Sequence, residues 1–240
     1  MVSRLQKLFA SIALLSIELI IVLVLFIFSL LALAFIINNI FGLKDTNLDT
    51  NVFNAIRPFI TDTNTSIMWF ITYFATSDFL LPANIILILL FLFRRNTRWY
   101  SLKVPVVSMS SFLVMWSLKQ YFSRARPDDP VVRAAMGFSF PSGHAMSAMT
   151  FYGLLIYLVW KYVDNVTVKW ILTFLLIIFI HLIGFSRIYL RVHYASDVIA
   201  GFSLGLIWLV LSLWLMNKIE KYTKKEIAPE VEAPKQNKTT

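Results

Sequence analysis

LFASIALLSIELIIVLVLFIFSLLALAFII, residues 8–37, carries a single charge, Glu18, over a run long enough to cross a bilayer. A hydrocarbon core about 30 Å thick needs ~20 consecutive apolar residues in helical form. The run is too long for a secretory signal and lacks the small-residue cleavage pattern, so a retained span is expected. The remaining composition agrees: the chain is 58% hydrophobic and 15% charged, with 21 phenylalanines, a balance that soluble domains rarely carry. With no cysteine, disulfides and thiolate metal sites are excluded. The net charge of +9 is read as basic residues flanking spans, and nucleic acid is not an expected partner.

Six spans are expected, giving an all-α polytopic bundle of six transmembrane helices: Leu8–Ile37, Phe79–Phe93, Leu102–Tyr121, Ser142–Trp160, Val168–Arg187 and Tyr194–Met216. Apolar Ile67–Phe74 extends the second span or forms a separate interfacial helix, with Asp78 and Pro82 marking the break. No internal repeat is evident. Residues 1–225 read as one membrane domain with a motif-bearing core at 102–217, and 226–240 as a disordered cytoplasmic tail, polar and Pro-containing.

Orientation follows from the basic residues. With the amino terminus inside, the inner side holds Arg4, Lys7, Arg94, Arg95, Arg98, Lys103, Lys161, Lys169 and six lysines from Lys218 onward, fourteen against eight outside. Both termini are therefore expected in the cytoplasm. Six of the eight outer residues crowd into Lys119–Arg133 and Arg187–Arg191. Positive charge kept against the topological trend points to an anion.

Three segments share that outer face. In Lys119-Gln-Tyr-Phe-Ser-Arg-Ala-Arg126-Pro127, two helical turns separate Lys119 from Arg126, and Pro127 disfavours helix at Arg126, freeing it to turn inward. A guanidinium fork and an ammonium suit phosphate oxygens; snorkelling cations at a membrane boundary are the alternative. In Pro141-Ser142-Gly143-His144, Pro141 fits a helix's first turn. The free N–H groups that follow form an anion site, Ser142 adds a hydroxyl, Gly143 allows close approach, and His144 can exchange a proton. A helix start with an incidental histidine reads equally from this tetrapeptide alone. In Ser186-Arg187-Ile-Tyr-Leu-Arg-Val-His193-Tyr-Ala-Ser-Asp197, the four-residue spacing lets Asp197 reach His193 on a helix. A carboxylate on one ring nitrogen leaves the other as a nucleophile; a surface histidine near an aspartate is the plainer alternative.

Together these segments resemble the signature of the type 2 phosphatidic acid phosphatase superfamily, in its integral-membrane lipid phosphatase branch. The patterns K-x6-R-P, P-S-G-H and S-R-x5-H-x3-D occur in the family's order with every defining residue present. The resemblance covers the last four spans; residues 1–118 carry no motif. It implies a six-helix fold and a metal-independent phosphatase with a phosphohistidine intermediate and an active site on the extracytoplasmic face. It further implies that His193 attacks phosphorus, Asp197 orients it, and His144 protonates the leaving group and then activates water. Lys119, Arg126, Arg187, Ser142 and the Gly143 N–H would hold the phosphate oxygens, and Ser186 would support Arg187.

Arg124, Arg133 and Arg191 lie outside the motifs and read either as solvated loop charges or as a second phosphate or head-group site. His181 reads as a packed helix histidine, Glu18 is unexplained, Asp128-Asp129-Pro130 reads as a turn, and Gly201-x3-Gly205 as a close helix contact. No cofactor or metal is expected, since three cations around the site oppose a divalent ion. The expected partners are membrane lipids and a lipid phosphate or diphosphate: phosphatidylglycerophosphate, phosphatidate or undecaprenyl diphosphate. No obligatory protein partner is evident. A phosphotransferase sharing the intermediate, or a non-catalytic lipid-phosphate carrier, is the alternative.

Overall fold

The computed structural model describes residues 4–93, 97–132 and 136–224, which contain helices and no strand. Arg94, Arg95, Arg133 and the expected tail lie outside them. The chain order is α1 (Arg4–Ile37), α2 (Asn47–Ile56), α3 (Asp62–Tyr73), α4 (Ser77–Leu92), α5 (Trp99–Val104), α6 (Ser111–Phe122), α7 (Gly143–Tyr162), α8 (Val166–Tyr189) and α9 (Ala195–Tyr222). A π-helical turn, Pro105–Met109, joins α5 to α6, and together they span like one helix.

Five helical stretches among the described residues are long and apolar enough to cross a membrane, where six were expected. The difference is α7. Its sequence includes Gly143, His144, Ser147, Thr150 and Gly153, and half its residues are buried. A helix walled by other helices does not need an apolar surface on every side. By contrast α8 exposes Trp170, Ile171, Phe174 and Leu175, the surface a lipid-facing helix presents.

Two expected boundaries moved. The chain breaks at residues 74–76, ahead of Asp78, while Pro82 lies inside α4. Asp78 instead occupies the first turn of α4, where the helix dipole favours an acid.

Helices α7 and α9 start at the same end and pack closely at Gly201 and Gly205. A Cβ on Gly201 would lie 2.6 Å from the Ser142 carbonyl oxygen, and one on Gly205 2.9 Å from that of Met146. The expected glycine contact is therefore where these two helices meet. Phe140 is fully buried against Phe41 and Phe122, with ring centroids 5.2 and 4.9 Å away. This aromatic cluster ties the turn before α7 to the end of α6 and the segment after α1.

Candidate active site

The ends of α6, α7, α8 and α9 converge on a cavity of about 210 Å³ lined by Lys119, Arg126, Gly143, His144, Ser147, Arg187 and His193, with Ala75 from the α3–α4 break, Ser77 from the start of α4, and Phe112 and Met115 from α6. Beneath it the buried cluster of Ala75, Leu80, Ala148, Phe151, Ile180 and Ile183 packs the bundle interior. Six of the eight expected site residues line one space, although up to 74 positions separate them in sequence.

Helix α6 ends at Phe122 because Ser123 turns left-handed (φ 47°). Arg126 thus reaches the site from a loop, four residues beyond the helix. Its guanidinium donates to the carbonyls of Val192 (2.7 Å), Gly137 (2.9 Å) and Met136 (3.3 Å), and Nη1 lies 3.3 Å from His193 Nε2. Burial lowers its pKa from the usual arginine value. Lys119 Nζ donates to the carbonyls of Phe138 (2.6 Å) and Ser139 (3.4 Å). Arg187, 6% exposed, donates from Nη1 to Thr72 Oγ1 at 2.7 Å, and its buried Nε has no hydrogen-bond partner.

All three cations are held by neutral oxygens. No carboxylate pairs with them among the described residues, whereas Arg191 and Lys103 each pair with one and Arg124 with two. A cluster of uncompensated, partly desolvated cations is an anion site.

Pro141 precedes the helix instead of entering its first turn, and Ser142 is the N-cap, with its Oγ accepting from Ala145 N at 3.5 Å. Ser142 is fully buried and does not line the cavity, in contrast to its expected role in holding phosphate. Its N–H donates to the Asp197 carbonyl at 3.0 Å, so it joins α7 to α9. Gly143 does line the space, and a Cβ there would meet the flexible side chain of Met115 at 2.6 Å from Sδ.

His193 lies in the turn ahead of α9 and Asp197 in its first turn. His193 is 2% exposed and Asp197 is fully buried. Nδ1 faces Asp197 Oδ2 at 3.5 Å, an ion-pair distance without a formed hydrogen bond. The Asp197 carboxylate is otherwise saturated: Oδ1 accepts from Arg124 Nη1 (2.6 Å), and Oδ2 from Ser139 Oγ (2.8 Å) and Tyr194 N (2.9 Å). Burial first, and then the neighbouring arginines, push the His193 pKa down to about 4 against the pull of Asp197. The ring is therefore neutral near pH 7, with Nε2 toward Arg126 and Nδ1 toward the carboxylate.

Arg124 is neither a solvated loop charge nor a second phosphate site. It bridges Asp197 and Asp49 with its guanidinium 4.1 Å from the Tyr194 ring centroid. Arg191 pairs with exposed Asp129 at 2.5 Å. Ser186 turns its hydroxyl back to the Ile183 carbonyl and does not support Arg187; Thr72 does. His181 is exposed on α8, not packed as expected, and its Nδ1 donates to the Ile177 carbonyl on its own helix. Thr72, Ser139 and Asp49 were invisible in the sequence, because each acts across the fold from a segment without motif spacing.

The PAP2 superfamily family model matches residues 100–221. The chain is 31% identical over 202 residues to phosphatidylglycerophosphatase B of Bacillus subtilis (strain 168), covering 84% of this chain and 97% of that protein. It is 29% identical over 110 residues to lipid phosphate phosphatase delta of Arabidopsis thaliana, 41% of this chain and 26% of that one. The crystal structure of a transmembrane PAP2-type phosphatidylglycerolphosphate phosphatase from Bacillus subtilis superposes with a TM-score of 0.70 at 31% identity, covering 84% of this chain and 98% of that one. Aquifex aeolicus LpxE superposes with a TM-score of 0.56 at 26% identity, covering 71% and 97%. The folded core, its cation-lined cavity and these likenesses place this chain in the PAP2 superfamily.

Proposed function

We propose that the protein is a membrane lipid phosphatase that hydrolyses a phosphorylated lipid head group through a phosphohistidine at His193. The observation that carries this reading is the contrast in charge pairing: Lys119, Arg126 and Arg187 face a cavity containing two histidines with only neutral anchors, while Arg124, Arg191 and Lys103 are paired with carboxylates.

In the first step the Nε2 lone pair attacks phosphorus and the bond to the lipid oxygen breaks. His144, which also lines the cavity, gives that oxygen its proton. The positive charge gained by the imidazole is met by Asp197 on the Nδ1 side. In the second step His144 takes a proton from water, the water oxygen bonds to phosphorus, and the N–P bond breaks to release phosphate. Lys119, Arg126 and Arg187 stabilise the equatorial oxygens, where the transition state concentrates charge. The N–H groups at the start of α7, including that of Gly143, add the positive end of the helix dipole. Ser142 supports this arrangement by fixing α7 to α9.

The named activity of the Bacillus relative, similar over nearly its whole length, favours phosphatidylglycerophosphate as substrate, ahead of phosphatidate and undecaprenyl diphosphate. Because Lys218 and Lys221 lie at the end of α9 away from the cavity, and the basic residues are distributed as the sequence shows, the reading puts both termini in the cytoplasm and the site on the outer face.

The test is phosphate release from these three lipids in matched detergent micelles by the purified protein and its His193→Ala variant. The variant is expected to lose activity by roughly three orders of magnitude or more while remaining monodisperse. Full activity in that variant refutes the assignment.

A further inference from the structure

We propose that Asp49, on α2 and far outside the motif-bearing core, is a positioning residue for phosphoryl transfer: by neutralising Arg124 it leaves Asp197 with the negative charge that supports phosphorylated His193. The inference rests on the nucleophile assignment above.

The three charges form a buried chain. Arg124 Nη1 lies 2.6 Å from Asp197 Oδ1, and its Nη2 lies 2.7 Å from Asp49 Oδ2. The Asp49 side chain is 2% exposed and that of Arg124 10%. Asp49 Oδ1 also accepts from the Ser196 N–H at 2.9 Å, and its Oδ2 from the Ser196 hydroxyl at 2.8 Å. A carboxylate on α2 thus caps the first turn of α9 at the residue beside Asp197.

The charge balance gives this arrangement its purpose. Attack by His193 Nε2 forms an N–P bond while Nδ1 keeps its proton, so the ring becomes cationic. Asp197 is the carboxylate facing that ring. Were Arg124 its only charged neighbour, the pair would be neutral and the imidazolium would gain little from it. Asp49 occupies the other arm of the same guanidinium, and the three groups together retain one negative charge. That charge is matched by the one His193 acquires, in a region too buried for water to supply compensation.

Asp49→Asn is nearly isosteric and keeps an acceptor for the Ser196 N–H, but it leaves Arg124 to cancel Asp197. The expected result is a fall in kcat of about tenfold to a hundredfold, the range typical of residues one step removed from a reacting centre, with KM changed less than about threefold. The double variant Asp49→Asn/Arg124→Gln removes more contacts yet restores the single negative charge, on an Asp197 still held by Ser139 and the Tyr194 N–H. It should therefore be faster than Asp49→Asn alone. A purely structural network predicts the opposite order, because the double variant loses both ion pairs.

The experiment measures kcat and KM for purified full-length wild type, both variants and His193→Ala on phosphatidylglycerophosphate micelles, with thermal unfolding alongside. A wild-type kcat in Asp49→Asn, or a double variant as slow as the single, overturns the proposal. Activity retained in His193→Ala instead removes the nucleophile assignment beneath it. If Asp49→Asn does not fold, the double variant decides: a kcat within about tenfold of wild type supports the charge account, and a loss beyond about a hundredfold overturns it.

Discussion

Alanine at Gly201 would drive α9 away from α7, the helix that carries His144, and His193 lies in the turn that leads into α9. The added Cβ would sit 2.6 Å from the Ser142 carbonyl oxygen, 2.9 Å from Ala145 Cβ and 3.3 Å from Met146 N. Two of these neighbours are backbone atoms, so no rotamer change relieves the contact. Ordinary contact begins near 3.4 Å, so α9 must withdraw from α7 by about 0.8 Å. Asp197 lies one turn before Gly201, and Ser142 immediately precedes Gly143 and His144. The displacement therefore falls between the acid on one helix and the nucleophile pair on the other, and it stretches the Ser142 N–H bond to the Asp197 carbonyl, now 3.0 Å. Misplacement of about 1 Å costs roughly a hundredfold in rate, and overpacking of this kind costs about 1–3 kcal/mol of stability. The assay is initial-rate phosphate release by the purified variant in detergent, with thermal unfolding on the same preparation. The expected outcome is a kcat lower by about tenfold to a hundredfold, a lower melting temperature and a nearly unchanged KM. A variant within twofold of wild-type kcat and melting normally would show that the site does not depend on the α7–α9 distance.

Two further outcomes follow from the site's charges. His193 must be neutral to attack, and its pKa is lowered to about 4. Its contribution to kcat/KM is therefore complete above about pH 5 and lost as pH falls through about 4. A pH profile corrected for the substrate's own ionisation, followed by phosphorus NMR in the same micelles, checks this; a fall centred near 6.5 refutes it. Chelation with EDTA is expected to leave the rate unchanged while vanadate inhibits competitively, since the cavity's cations suit a trigonal-bipyramidal anion. Activity lost on chelation and restored by a divalent metal would contradict this.

Most of the residues read from motif spacing touch the cavity, where the proposed chemistry leaves a group few substitutes. Lys119, Arg126, His144, Arg187 and His193 were legible for that reason, and Asp197 through its spacing from His193. A serine before a helix has two uses, ligand donor and N-cap, and only the packing of α7 on α9 shows Ser142 in the second. The supporting residues left no trace in sequence: Thr72 lies in an apolar stretch, and Asp49 is one of many polar residues on a loop-like segment. Of the spans, α8 and α9 were legible because lipid demands a long apolar run. Helix α7 escapes that demand by lying inside the bundle, and Pro82 failed as a breaker because α4 continues through it.

The Asp49–Arg124–Asp197 chain also bears on how the protein is made. Its three members come from the first quarter, the middle and the last fifth of the sequence, and synthesis delivers them in that order. Until α9 enters the bundle, Arg124 lacks Asp197 and keeps Asp49 as a partner, and on the proposed mechanism the cations of the cavity have no nucleophile beside them. The growing chain can therefore gather an anion before it can cleave one. Catalytic competence arrives with the last helix, and phosphatase activity reports that insertion of the whole core is complete.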